Sequence, residues 1–175
     1  MTPTDSTRLD DFLDYWTKIR HRTVRVARCI PDDSVDWTYR EGKFTFGDLV
    51  RHLAAIERHM FAENAAGRVS RYPGHGAELS EPYGPGLAGV LAYAEAMHRE
   101  ALEVFRSLGD ARLQERCETP GGASLPVWKW LRAMVEHEVH HRGQIYLYLG
   151  ILGVETPPLY GLTAEEVEAR SRPGR

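Results

Sequence analysis

Four segments of the chain carry apolar side chains at intervals of three and four residues, which places those side chains on one face of an α-helix. The segments run over about residues 7–29, 45–67, 87–108 and 126–152. Elsewhere, no series of short segments alternates between apolar and polar residues as the strands of a sheet do. The pattern therefore predicts an all-α protein, an antiparallel four-helix bundle whose helices bury their apolar faces against one another.

Capping and turn-forming residues mark the ends of these helices. Pro31 ends the first helix, and Thr45 begins the second with Asp48 three residues later, which is the arrangement of a capping box. Pro126 suits the first turn of the fourth helix, and Gly153 suits its end. With these ends, the four predicted helices are separated by long connections.

The connections carry signals of their own. Residues 68–85 are rich in Gly and Pro, and a loop of this length in a compact domain often lines a site. Residues 113–125 suit a short hairpin or an extended lid, and Thr163 with Glu166 suits the start of a small helix in the tail. We expect one domain over residues 1–175, with a frayed end from about 171 to 175.

Charge and cysteine content exclude several classes of protein. With 22 Lys and Arg against 25 Asp and Glu, the formal charge is −3, so the chain lacks the basic field that binds nucleic acids. Its apolar stretches are far shorter than the roughly 20 residues of a membrane-spanning helix, and its N-terminus does not resemble a signal peptide. Because Cys29 and Cys117 are the only cysteines, we expect a reduced, cytoplasmic protein.

The strongest chemical signal is a pair of histidines, His137 and His141, within the apolar face of the fourth segment. Side chains four residues apart on a helix are neighbours, so two imidazoles at this spacing can bind one metal ion. An unpartnered polar group facing a core costs about 1–3 kcal/mol, so something has to compensate these rings. A metal ion would satisfy both, and hydrogen-bonded carboxylates could do so as well.

A third ligand should come from another helix. His52 lies between Leu49 and Ile56 on the apolar face of the second segment, and His59 lies seven residues later on a similar face. The two are roughly 10 Å apart along the helix, so one ion would bind only one of them. His98 is a further inward-facing candidate, more simply explained by a hydrogen bond to a carboxylate such as Glu95. We interpret the remaining three as ordinary surface or flanking residues: His21, His75 and His140.

Two stretches, DLVRHLAAIERHMF at residues 48–61 and HEVHHRGQIYLYLGILG at residues 137–153, resemble the DinB-like family of metalloproteins. The lead-in at residues 31–46 and the tail extend the resemblance over nearly the whole chain. Its most specific part is His-x-x-x-His-Arg-Gly-Gln at residues 137–144, completed by His52.

The resemblance implies a four-helix bundle, commonly a homodimer, that binds one divalent metal ion through His52, His137 and His141. Members of the family carry zinc, nickel or iron, and we expect zinc or nickel here. Some relatives are transferases or isomerases that use a low-molecular-weight thiol, such as mycothiol-dependent maleylpyruvate isomerase, whereas many others have no established reaction.

Three neutral imidazoles bind a borderline divalent ion well and leave coordination positions open for water or a small-molecule substrate. We expect nearby groups to orient the ring nitrogens that do not face the ion, and Glu57, Glu138 and backbone carbonyls are candidates. Arg142, next to a predicted ligand, could pair with a substrate carboxylate or form a surface ion pair.

Several functions fit this site. The first is a metal-dependent transferase that uses a small thiol, and the second is a metallohydrolase. A third is a non-enzymatic, metal-stabilised module with a role in binding or in the stress response. A di-iron site would use the Glu-x-x-His spacings at 95–98 and 138–141, but the first helix has no glutamate to complete its ligands.

Overall fold

The computed structural model describes residues 8–171. Its α-helices in that range are α1 (Leu9–Ala27), α2 (Phe46–Ile56), α3 (Ala62–Ala65), α4 (Gly86–Arg106), α5 (Val127–Ile151) and α6 (Ala164–Ser171). A π-helical turn, Glu57–Phe61, joins α2 to α3, and short 3₁₀ turns occupy Asp32–Ser34, Ala77–Leu79, Glu81–Tyr83 and Asp110–Gln114. The strands β1 (Arg116–Glu118) and β2 (Ser124–Pro126) pair in an antiparallel hairpin. The predicted four-helix bundle is confirmed.

The capping residues predicted from the sequence form the expected hydrogen bonds at the starts of α2 and α6. The Thr45 hydroxyl accepts a hydrogen bond from the Asp48 backbone N–H at 3.0 Å, and the Asp48 carboxylate accepts one from the Thr45 N–H at the same distance. The Glu166 carboxylate likewise accepts from the Thr163 N–H at 2.7 Å at the start of α6. Residue 7, where the first helix was expected to begin, and residues 172–175 of the expected frayed end lie outside the described range.

The two core clusters show how the helices are arranged. One cluster joins the C-terminal halves of α1 and α5 to the N-terminal halves of α2 and α4, and the other joins the opposite halves. Helices α1 and α5 therefore run in one direction, and α2 and α4 run in the other. The closest packing is between these parallel neighbours, whereas the antiparallel pairs α2–α5 and α1–α4 make fewer contacts and border two grooves on opposite sides of the bundle. No helix in residues 8–171 has the length and apolar character needed to cross a bilayer.

The connection between α3 and α4 has to return along the bundle because α2 and α4 run in the same direction. It follows the outside of α2, where the Arg71 N–H donates to the His59 carbonyl at 2.8 Å. Farther along, Nε of Arg51 donates to the His75 carbonyl at 3.2 Å. These bonds hold the connection against α2.

The π-helical turn differs from the continuous second helix predicted for residues 45–67. A π turn holds more residues than an α turn, so it rotates the side chains that follow it away from the face they would otherwise share. His59 consequently lines a cavity with Tyr93 and Met97 of α4, whereas His52 faces α5. The prediction that His52 and His59 lie on a similar face is wrong for this reason.

A buried polar network occupies the centre of the bundle and links all four long helices. Arg20 of α1 is 3% exposed and bonds to the carboxylates of Glu57, in the π turn, and Glu138 of α5. Glu57 also accepts hydrogen bonds of 2.7 Å from Nδ1 of His98, on α4, and from the Trp16 indole. Burial alone would raise the pKa of Glu57, but Arg20 and these two hydrogen bonds lower it.

Candidate metal centre

Three histidine side chains meet in the groove between α2 and α5. His52 comes from α2, and His137 and His141 come from successive turns of α5. Nε2 of His52 lies 3.1 Å from Nε2 of His137, and one ring nitrogen from each of the three residues lies within 4.8 Å of the others. Two nitrogens bound to one zinc ion at tetrahedral angles are about 3.3 Å apart, given Zn–N bonds of about 2.0–2.1 Å. The donor atoms therefore lie at distances that could accommodate one divalent ion.

Hydrogen bonds at Nδ1 orient two of these rings. Nδ1 of His141 lies 2.7 Å from Oε1 of Gln144, which can only accept, so this nitrogen carries the hydrogen. Nδ1 of His52 lies 2.7 Å from the Tyr72 hydroxyl, which lies 3.2 Å from Nδ1 of His75. Both arrangements leave Nε2 available for a metal ion, which is the usual role of such outer hydrogen bonds.

Glu57 and Glu138 do not orient these rings, contrary to the expectation from the sequence. Both carboxylates are 1% exposed and face the bundle centre, where Arg20 binds them. Burial raises the pKa of Glu138, and Arg20 only partly opposes that effect. Gln144 was within reach of sequence reasoning, because it lies one helical turn beyond His141 in the His-Arg-Gly-Gln motif.

The loop that connects α3 to α4 supplies two further groups that the sequence did not reveal. The His75 ring lies 5.8 Å from the His52 ring and 4.3 Å from the Phe44 ring, so its interpretation as an ordinary surface residue is wrong. Tyr72 lies between the two histidines. Loops have no periodicity that predicts where a side chain points, although the length of this one predicted that it would line a site.

The electrostatic environment keeps the three rings neutral. Burial lowers the pKa of His52 to about 3, and His137, His141 and His75 add to the effect. Burial and the neighbouring His141 likewise lower the pKa of His137 to about 4. Burial also lowers the pKa of His141, although the bond to Gln144 opposes the shift. Neutral imidazole is the form that binds metal, so the folded chain presents these ligands in their reactive state.

An open pocket of about 480 Å³ adjoins His141. It is mainly apolar, and it is lined by the segment before α2 and the last turns of α5: Tyr39, Gly42, Lys43, Phe44, Gln144, Leu147, Tyr148 and Ile151. Its volume lies in the range of pockets that hold small molecules. A molecule in this pocket would lie beside His141, at the edge of the histidine cluster.

The other residues that the sequence singled out, His98, Arg142 and His140, lie outside the cluster of three rings. His98 bonds to Glu57 rather than to Glu95, because the π turn brings Glu57 inward whereas Glu95 is exposed. Arg142 is 3% exposed and donates to the Ile19 carbonyl at 3.4 Å, so it forms neither the surface ion pair nor the substrate contact considered above. His140 is exposed, with its ring 4.9 Å from that of His141.

The amino-acid sequence is similar to those of known proteins. Residues 15–145 match the DinB superfamily. An uncharacterised protein of Bacillus subtilis (strain 168), YrdA, is 24% identical over 162 residues that cover 90% of this chain and 91% of that protein.

Solved structures share the fold at low sequence identity. A DinB-like protein from Bacillus cereus ATCC 10987 is 19% identical with a TM-score of 0.69, covering 86% of this chain and 97% of that one. The DinB-like protein YjoA from B. subtilis is 20% identical with a TM-score of 0.67, covering 85% of this chain and 96% of that one. YfiT from B. subtilis is described as a probable metal-dependent hydrolase with an unusual four-helix bundle topology. It is 19% identical with a TM-score of 0.63, covering 89% of this chain and 95% of that one.

Replacing His52 with alanine should weaken the binding of zinc or nickel more than about a hundredfold, because it removes one of three donors. His59→Ala is the matched control, since His59 lies on the same helical segment but outside the cluster. Metal content after gel filtration measures the effect, and far-UV circular dichroism checks the fold. One bound ion per chain in His52→Ala would contradict the ligand assignment.

The lowered pKa values predict how many protons metal binding displaces. At pH 6, three imidazoles with ordinary pKa values near 6.5 would release about two protons on binding zinc. With pKa values of about 3 and 4 at His52 and His137, and a lowered value at His141, the release should be less than about one proton. Calorimetry in two buffers of different ionisation enthalpy measures this number, and a release of about two would refute the neutral, preorganised site.

Proposed function

The chain belongs to the DinB superfamily, and on that premise we propose that it is a metal-dependent transferase that uses a low-molecular-weight thiol. In this proposal His52, His137 and His141 hold one divalent ion, which is zinc or nickel, with iron as an alternative. The second substrate is a small electrophile that enters the pocket beside His141.

The observation that carries the proposal is that the buried carboxylates that follow His52 and His137 in the sequence, Glu57 and Glu138, are not available to act as a base. Glu57 and Glu138 are both bonded to Arg20 and face the bundle centre. The groups around the histidines are instead Tyr72, His75 and Gln144. A divalent ion bound there would act as a Lewis acid and ionise a thiol ligand without the help of a general base.

The residues of the pocket determine what reacts with the thiol. Tyr39, Phe44 and Tyr148 offer aromatic surface, which favours an electrophile with an apolar or aromatic body. Lys43 is the only Lys, Arg, Asp or Glu among residues 8–171 that lines the pocket, and it would favour an anionic group on that substrate. Tyr72 keeps the His52 ring fixed while the substrate binds.

A metal-dependent hydrolase is the second candidate. Its support is the similarity of fold to YfiT and the position of His75, whose Nδ1 lies 3.2 Å from the Tyr72 hydroxyl beside His52. Tyr72 and His75 could relay a proton away from a water molecule in the groove. The two candidates differ in the nucleophile, thiol or water, and hence in whether turnover depends on added thiol.

The test uses mycothiol, bacillithiol and glutathione with 1-chloro-2,4-dinitrobenzene, whose aromatic ring suits the pocket. A carbon–sulfur bond forms, chloride leaves, and the thiol proton goes to solvent, so the absorbance of the product reports the rate. We expect turnover with at least one thiol, loss of turnover in His137→Ala and on chelation, recovery when metal is restored, and retention in His59→Ala.

An assay without thiol, in which water is the nucleophile, separates the candidates. Metal-dependent cleavage of p-nitrophenyl acetate without thiol would favour the hydrolase instead. No turnover with any of these thiols and with zinc, nickel or iron bound would refute the transferase. If the ester also stayed intact, the result would favour the non-enzymatic binding module.

We also propose a cytoplasmic homodimer, as the family resemblance and the two unpaired cysteines suggest. The outer face of α5 exposes Val139 and Tyr146, two helical turns apart, by 42% and 38%, and exposed apolar surface of this kind can mark an interface. Light scattering should give twice the chain mass of 19.8 kDa. Val139→Glu should yield a monomer, whereas Val167→Glu on exposed α6 should not. A monomeric parent protein would contradict the proposal.

A further inference from the structure

A second cleft, of about 660 Å³, lies between α1 and α4 on the side of the bundle opposite the histidine cluster. Helices α1 and α4 are antiparallel neighbours that pack less closely than the parallel pairs. On α4 the cleft is bordered by the small side chains of Ala88 and Ala92, both exposed, which leave the space between the helices open. The volume lies within the range of small-molecule sites.

Two buried nitrogens without hydrogen-bond partners among the described residues belong to the lining of this cleft: Nε of Arg20 and Nε2 of His98. The terminal nitrogens of Arg20 are bound to Glu57 and Glu138, so Nε is the donor that remains. Nδ1 of His98 donates to Glu57, so in the neutral ring Nε2 is free to accept. Each of these atoms lacks the hydrogen bond that a buried polar group normally makes, so the inner wall of the cleft keeps one donor and one acceptor unpaired.

The rim of the cleft is positively charged although the whole chain has a formal charge of −3. Arg28, Arg99 and Arg106 line it with one acidic residue, Glu95, so the rim carries 3 − 1 = +2 charges. Within residues 8–171 none of these three arginines forms a salt bridge. Unpaired guanidinium groups around a cleft are typical of carboxylate or phosphate recognition.

The walls of the cleft are apolar. Val24 of α1 and Leu91 and Leu102 of α4 are among the residues that line it. We propose that this cleft binds a small amphiphilic anion, with its apolar body against Val24 and Leu91 and its charged group at Arg99. The site is separate from the histidine cluster and does not depend on the function proposed for that cluster.

The test is calorimetric titration of the metal-stripped protein with sodium decanoate, a ten-carbon apolar chain with one carboxylate. Stripping the metal prevents the carboxylate from binding at the histidines. We expect saturable binding of one decanoate per chain, and at least tenfold weaker binding of 1-decanol, which has the same body without the charge. Equal affinity for 1-decanol would overturn the proposal, because it would show that binding depends on the apolar chain and not on the charge.

Two substitutions locate the binding. Arg99→Glu should weaken decanoate binding at least tenfold because it reverses a rim charge, and Ala92→Trp should abolish binding by filling the cleft. Both positions are exposed on α4, and far-UV circular dichroism verifies the helices. Arg25→Glu on α1 and Ala169→Trp on α6 are matched controls, exposed and outside the cleft, and should bind decanoate as the parent does.

Three other results would overturn the proposal. One is the absence of saturable decanoate binding. Another is unchanged affinity in both Arg99→Glu and Ala92→Trp, which would place the ligand elsewhere. The third is a dimer that Arg99→Glu dissociates and that decanoate does not affect, since a second copy of the chain would then occupy the cleft.

Discussion

The guanidinium of Arg20, buried at the centre of the bundle, constrains how the helices can be assembled. Removing an unpaired charge from water costs several kcal/mol, so the helices that face Arg20 have to bring carboxylates to it. Glu57 and Glu138 do so from the π turn and from α5. His52 lies five residues before Glu57, and His137 directly precedes Glu138, so the register that pairs the charges also sets the height at which the histidines meet. Neutralising Arg20 and forming the histidine cluster are thus parts of one arrangement.

This arrangement also separates two chemical environments. The carboxylates that could serve as bases are held in the bundle centre, while the groove between α2 and α5 contains neutral imidazoles, a tyrosine and an amide. The direction of the helices also explains the loop beside His52. Because α2 and α4 are parallel, the intervening connection runs back along α2 and places Tyr72 and His75 beside His52. An up-down-up-down bundle with short loops would have no such segment.

The parts of the structure that the sequence predicts are those with short-range signals. Apolar spacing predicts the helices, and Thr45 with Asp48 predicts the start of α2. The inward positions of His52, His137 and His141 follow from the same spacing. What the sequence does not predict depends on long-range partners: Arg142 is buried against Ile19, 123 residues away, and Glu138 against Arg20, 118 residues away. Charged residues are usually exposed, so their burial cannot be inferred without the partner. The π turn has no signal in spacing, and it is what moves Glu57 inward and His59 aside.

The claim on which the site depends is that His52, His137 and His141 share one divalent ion through their Nε2 atoms. A crystal structure of metal-loaded protein, with diffraction recorded on both sides of the absorption edge of the bound element, tests it most directly. We expect one anomalous peak per chain in the groove between α2 and α5, about 2.0–2.2 Å from each of the three Nε2 atoms. A peak elsewhere, or a fully loaded protein whose ion is held by other side chains, would show that these three rings are not the metal site.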